Sequence, residues 1–312
     1  MRDRFVSGQV TVMAPQPTPA NWLSVIALGL IWGGTFMVVS IALQGYGPLT
    51  VACARTTLGA VSLLVLMRFL GRPWPKGRTV WTYLAVIGPL NTALPFFLLS
   101  WGQQYVPSAF AGLSMAALPL FVLPLAHFFS DEKLALRKTL GVLLGFVGAA
   151  VLLGPGALRL GQGIEPLAQI ACLGAALSYA VSSVLTRRCP PVDSIAMAAI
   201  TLSIGAACLI PPMLLVEGLP RWQPGLSGWA ILFLGLVPTA FAALLRVTVV
   251  RSAGSVFMTL VNYQVPVWSM VFGALVLDEA LPGRFFVALA LILTGLAISQ
   301  WRSQIRLFTP RA

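Results

Sequence analysis

Charge is what this chain has least of. Only 9% of its 312 residues are Asp, Glu, Lys or Arg, against about a quarter in a soluble domain. Acids are scarcer than bases, 8 against 20, and there is a single histidine. With 58% hydrophobic residues and a mean hydropathy of +0.90, the composition excludes an ordinary water-soluble fold and places the chain in lipid. The four cysteines, Cys53, Cys172, Cys189 and Cys208, show neither CxxC nor Cys/His spacing, so no disulfide frame, zinc site or other cofactor is expected. The acids are Asp3, Asp131, Glu132, Glu165, Asp193, Glu217, Asp278 and Glu279, and each falls at a loop or helix end. With no Asp pair at membrane depth, no HExxH, and His127 left to serve Ser100 or Ser114 without a supporting motif, an intramembrane protease is excluded and no enzyme is expected. The missing membrane-centre carboxylate also argues against the proton relay common in coupled carriers.

What the sequence does have is long apolar runs. Bounded by charge, Pro or Gly, they predict ten helices over 22–44, 48–70, 79–101, 107–129, 135–154, 166–187, 194–216, 227–249, 253–276 and 282–300. Strand-period alternation does not recur, so the expected fold class is an all-α membrane protein. Ten crossings at roughly 20 residues use about 200 residues, which leaves no room for a soluble domain. Residues 1–21, with Pro15, Pro17 and Pro19, read as a flexible tail without a cleavable signal, and 301–312 as a second tail. With the N-terminus inside, sixteen cations fall on inner segments and only Arg159, Arg221 and Arg284 on outer ones, with Arg55 inside the second span. This bias puts both termini in the cytoplasm. The cations sit singly at span ends, which is orientation chemistry and not a nucleic-acid surface. Trp22, Trp74, Trp81, Trp222, Trp229 and Trp301 lie at or near span ends and read as interfacial anchors.

Sliding the sequence against itself by 147 residues aligns Gly88 with Gly235, Thr92 with Thr239, Pro119 with Pro266, Asp131-Glu132 with Asp278-Glu279, Arg137 with Arg284 and Gly148 with Gly295. A shared Pro, acid pair and Arg in one ungapped register mark a duplication. The expected units are 22–154 and 163–300. Each holds five helices, an odd number, so the second unit enters the membrane from the opposite side. Inverted repeats of this kind open a midplane site alternately to each side.

Trp32-Gly33-Gly34-Thr35-Phe36, Arg55 after Pro48, the paired Pro119 and Pro266, and the two Asp-Glu-x-Leu turns resemble the drug/metabolite transporter superfamily, in its EamA type with two five-helix repeats. The resemblance spans about residues 22–300. It implies ten helices, internal termini, a bacterial inner-membrane location and export of small metabolites, nearest in character to exporters of aromatic and other amino acids. The second repeat departs from the pattern: Tyr179 replaces the Trp, and Leu202 aligns with Arg55.

The expected path runs among the third, fourth, eighth and ninth spans. Pro119 and Pro266 break backbone bonding at matched positions, as ordinary membrane-helix prolines do, and their pairing favours a hinge or gate. Asn262, Tyr263 and Gln264 beside Pro266, and Asn91 with Thr92 and Ser100 in the third span, are polar groups at membrane depth. They bond neighbouring helices or face a substrate. Trp32, Phe36, Tyr83, Trp101 and Tyr179 join Tyr263 as an aromatic lining. Arg55 carries a cation costing up to about 2.5–3.5 kcal/mol at a span centre, and it either snorkels, bonds helix-end carbonyls or meets a substrate carboxylate. His127 reads as structural or as a proton site. Gly29, Gly33, Gly141, Gly145 and Gly148 are close-packing steps, and the two Asp-Glu pairs read as caps of the fifth and tenth helices. The reading is an exporter of apolar and aromatic amino acids working by alternating access, with a broad drug or metabolite exporter and a channel as alternatives. Its partners are a small-molecule substrate and the bilayer; a monomer is compatible with the repeat.

Overall fold

The computed structural model describes residues 17–129, 136–154 and 163–308. Among these there is no strand. Among the described residues nine helices are long and apolar enough to cross a membrane and one apolar helix, α9, is shorter: α1 Pro19–Leu43, α2 Pro48–Phe69, α3 Arg78–Gly102, α4 Ser108–Phe128, α5 Leu136–Leu153, α6 Glu165–Arg188, α7 Ser194–Val216, α8 within Leu226–Met258, α9 Val261–Val276 and α10 Gly283–Phe308. Gly254, at φ 88°, turns the chain inside the eighth of these runs, so residues 255–258 already belong to the approach to α9. Only glycine adopts such a backbone without strain. Asp131 and Glu132 lie outside the described residues.

The helix starts follow local chemistry. Pro19, Pro48 and Pro166 occupy the first turns of α1, α2 and α6, where the missing N–H has no helical partner to lose. Thr18 and Asn21 form a reciprocal capping box at α1. Asp193 caps α7, its Oδ1 accepting from the Ile195 and Ala196 amides at 3.0 and 3.2 Å. One expected cap is corrected. Glu279 precedes α10 but accepts the Ser108 and Ala109 amides at 2.6 and 3.0 Å, so it closes the start of α4. The chain between α9 and α10 passes beside that free helix end, and the nearest unsatisfied amides win.

Packing shows the repeat directly. α1 rests on α9 as α6 rests on α4; α1 meets α8 as α6 meets α3; α2 pairs with α7 and α5 with α10. Exchanging the two halves maps this set onto itself, as an inverted repeat requires. The outer surface is apolar: Leu23, Phe69, Leu140, Leu215, Trp229, Leu275 and Phe286 are all exposed, the arrangement expected where lipid and not water is the solvent. Trp22, Trp74, Trp81 and Trp222 are exposed as well, in keeping with interfacial anchoring.

The bundle has two unlike ends. The chain's N-terminal side, with the α2–α3, α6–α7 and α8–α9 connections, carries Arg72, Lys76, Arg187, Arg188 and Arg251 and is called the basic end below. The far end holds Glu165, Glu217, Asp278 and Glu279.

Candidate transport pathway

The most regular feature of the interior is a paired irregularity. α3 passes through a π-helix at Pro89–Ala93 and α8 through one at Gly235–Phe241, in the same repeat register. Prolines explain both. The Leu94 amide reaches back five residues to the Pro89 carbonyl, and Pro95 has no N–H to give to Leu90 or Asn91. The orphaned Leu90 carbonyl takes the Ser178 hydroxyl at 2.7 Å, while the Asn91 Oδ1 takes that of Ser182 at 3.0 Å. In α8, Pro238 leaves the Leu234 carbonyl without its helical donor, and the Thr239 hydroxyl fills the place at 2.7 Å. The Trp32 indole donates to the Pro238 carbonyl at 3.1 Å. Thus α6 fastens the α3 irregularity and α1 fastens the one in α8. Such π segments concentrate at functional sites.

The repeats part company at Arg55. Its side chain, 8% exposed, donates from Nε to the Thr239 Oγ1 at 2.9 Å, and its guanidinium lies 3.9 Å from the centre of the Phe96 ring. That contact is a cation–π pair in a site shielded from water. Among the described residues, no acceptor reaches the two terminal nitrogens of Arg55. The second repeat has no counterpart, since Leu202 occupies the matching place and is buried.

The other expected residues divide by location. Tyr179 is half-buried and packs against two core clusters at once, which places it at the seam between them. Trp101 is half-buried and meets Tyr105 edge-on at 5.5 Å. Asn91, Asn262 and Tyr263 are half-buried. Tyr83, also half-buried, lies on α3 toward the basic end. Phe36, at 6% exposure, belongs to the core beside Gly112, so in this conformation it packs and does not line. The Trp32 N–H is likewise engaged by backbone, leaving only its ring face. Gln264 donates to the Val25 carbonyl at 3.4 Å and lies against Gly29, where an added Cβ would meet its Oε1 at 2.6 Å. This is helix packing. Pro119 follows a 3-10 turn at Met115–Ala117, whereas Pro266 lies inside a continuous α9, and the break before α9 comes at Thr259 and Leu260. The irregularity seen at matching places in both repeats is the π pair.

Exposure at matched positions is strongly unequal. At the far end Ser108, Ala109 and Leu113 are fully buried and Leu99 and Gln103 nearly so. Their counterparts toward the basic end, Ser255, Val256, Leu260, Arg246 and Val250, are exposed or half-exposed. At these positions the far end is packed shut and the basic end is exposed. Two carboxylates hold the closure across the repeats: Glu279 at α4, and Glu217, which accepts the Leu49 and Thr50 amides of α2 at 2.9 and 2.8 Å. Charge-assisted bonds to helix N-termini are stabilising. Glu279→Ala and Glu217→Ala are each expected to cost about 0.5–2 kcal/mol, as losses of a cap do, and to make the buried Cys53 and Cys172, in the far-end turns of α2 and α6, newly reactive to an impermeant thiol reagent; unchanged melting and labelling would refute the latching role.

A bundle of ten apolar helices in two inverted repeats, with an interior arginine and unequal ends, defines a multi-pass membrane protein. The sequence matches the EamA-like transporter family over residues 21–154 and again over 166–300, and the chain belongs to that family. The chain is 27% identical to the uncharacterized transporter YoaV of Bacillus subtilis, over 88% of this chain and 94% of that one. It is 28% identical to the uncharacterized inner membrane transporter YedA of Escherichia coli K12, over 88% and 89%. A probable terminal-alkyne amino-acid exporter of Streptantibioticus cattleyicolor is 25% identical over 91% and 94%. A solved structure shares the fold with a TM-score of 0.64 at 23% identity, covering 91% of this chain and 99% of that chain.

Proposed function

We propose that this transporter exports amino acids with apolar or aromatic side chains, by alternating access across a bacterial inner membrane with its basic end in the cytoplasm. The observation that carries the reading is Arg55: a buried cation whose terminal nitrogens have no described acceptor, in a body whose described acids all stand at the helix ends. A substrate carboxylate supplies the missing partner in bidentate geometry. Tyr179, Trp101 and Tyr263 offer aromatic surface to the side chain, and Asn91, with the Asn262 carbonyl that Pro266 leaves without a helical donor, offers oxygens to the ammonium. The orientation rests on the distribution of cations between the two ends, and the substrate class is supported by the relative named as an amino-acid exporter. A closed far end and open basic end are the state in which an exporter loads.

Purified protein in liposomes, assayed with a panel of radiolabelled amino acids, is expected to show saturable, stereoselective counterflow of phenylalanine, tryptophan or leucine. Flux that does not saturate would make it a channel. Movement of cationic drugs with no amino-acid flux would make it a drug exporter. Tyr263→Ala and Trp101→Ala are expected to lower the flux with membrane insertion intact.

A further inference from the structure

A second interior cation lies outside this account. Arg246 sits on α8 seven residues beyond Thr239, about 10 Å along the axis at 1.5 Å per residue, toward the basic end. In the regular helix that follows the π segment, positions 242, 246, 249 and 253 fall within an arc of ~60° at 3.6 residues per turn. Ala242, Val249 and Ala253 on that arc are buried in the core. Arg246 shares the arc and is nevertheless exposed. A side chain that is open while its neighbours on the same arc are packed in the core lines an internal recess, not the lipid surface. Val250, one turn further on, is exposed too.

Nothing described neutralises this charge. No hydrogen bond or ion pair reaches Arg246 among the described residues. The nearest acid by sequence position on that end, Asp193, is already shared by Arg72 at 3.7 Å and Arg251 at 3.5 Å. Those two arginines and Thr248 lie on the opposite side of α8, in a separate groove with Leu66 and Leu244. The matching position in the first repeat is Leu99, 5% exposed, so packing in this repeat fold is satisfied by an aliphatic side chain here and does not call for a cation.

We propose that Arg246 is a carboxylate-recognition residue at the mouth of the open recess, which captures the substrate's carboxylate before it passes to Arg55. Two arginines about two helical turns apart, without a described acid between them, give the recess a positive potential. It attracts carboxylates, repels cationic amines and discriminates against carboxamides. The inference rests on the transport reading above but is narrower: it fixes the charged group that is recognised, whatever the side chain.

The test is binding of 3-phenylpropionate and of 3-phenylpropanamide to the purified full chain in detergent, followed by thermal melting and tryptophan fluorescence. The wild type is expected to bind the acid and not the amide. Arg246→Gln is expected to weaken the acid at least about tenfold, roughly 1.4 kcal/mol, leaving residual binding at Arg55, and Arg246→Lys to retain part of the affinity. Failure of the acid to bind, equal binding of acid and amide, or wild-type affinity in Arg246→Gln overturns the proposal. The comparison of acid with amide on the wild type holds even if a variant does not fold. Arg246-dependent acid binding in a protein that moves no amino acid in liposomes would instead defeat the amino-acid reading and leave carboxylate recognition standing.

Discussion

Leucine at Gly141 or Gly295 is expected to abolish the folded protein. α5 and α10 meet backbone to backbone at these residues: a Cβ added at Gly141 would run into the Gly295 carbonyl and lie 2.8 Å from the Ser299 amide, and one at Gly295 would meet the Gly141 carbonyl and lie 2.8 Å from the Gly145 amide. No rotamer change relieves a clash with backbone. Overpacking costs about 1–3 kcal/mol even where neighbours can adjust, and here the helices must separate along a seam that no hydrophobic driving force reseals in lipid. Fluorescence-detected size exclusion should show the monodisperse peak lost in either leucine variant, with Gly141→Ala intermediate. A sharp peak for both leucine variants would mean that the seam does not hold the bundle together.

Arg55→Leu is expected to eliminate most transport while sparing the fold. The substitution removes the hydrogen bond to Thr239 and the stack on Phe96, but it also removes a charge from an apolar interior, so stability changes little. Loss of a charge-assisted contact to substrate is worth about 1.5–3 kcal/mol, or about 10- to 150-fold in apparent affinity at 1.4 kcal/mol per decade. Thr239→Val separates positioning from contact. It leaves the guanidinium but frees its Nε, and should cost less than Arg55→Leu, with the loss falling on KM. Equal losses in the two variants would assign Arg55 to structure alone.

Much of the architecture was legible because lipid imposes simple demands. Spans must be long and apolar, connections must carry the charge, and a doubled sequence leaves an ungapped register. Arg55 was conspicuous for the same reason, as a lone cation where cations are costly. Its partner was not, since Thr239 drew notice only as one member of an aligned pair. The π segments were hidden because they arise from which amide bonds which carbonyl. Pro89, Pro95 and Pro238 were visible, but prolines in membrane helices have several outcomes, and Pro119 and Pro266 looked equally disruptive. Glu279 reads as a cap of α10 because an acid just before a helix resembles that helix's own cap, and only the tertiary fold brings the α4 amides nearer. Arg246 is one of the sixteen cations counted on inner segments, and a count along a run ignores the arc of helix on which each charge sits.

The π segments also set a mechanical relation between the halves. Each fits one residue more into a turn than a regular helix holds, at overlapping repeat positions, and so leaves carbonyls for side chains to satisfy. The Ser178 hydroxyl of the second half takes one in α3 and the Trp32 indole of the first half takes one in α8, so each half holds the widest helical turn of the other.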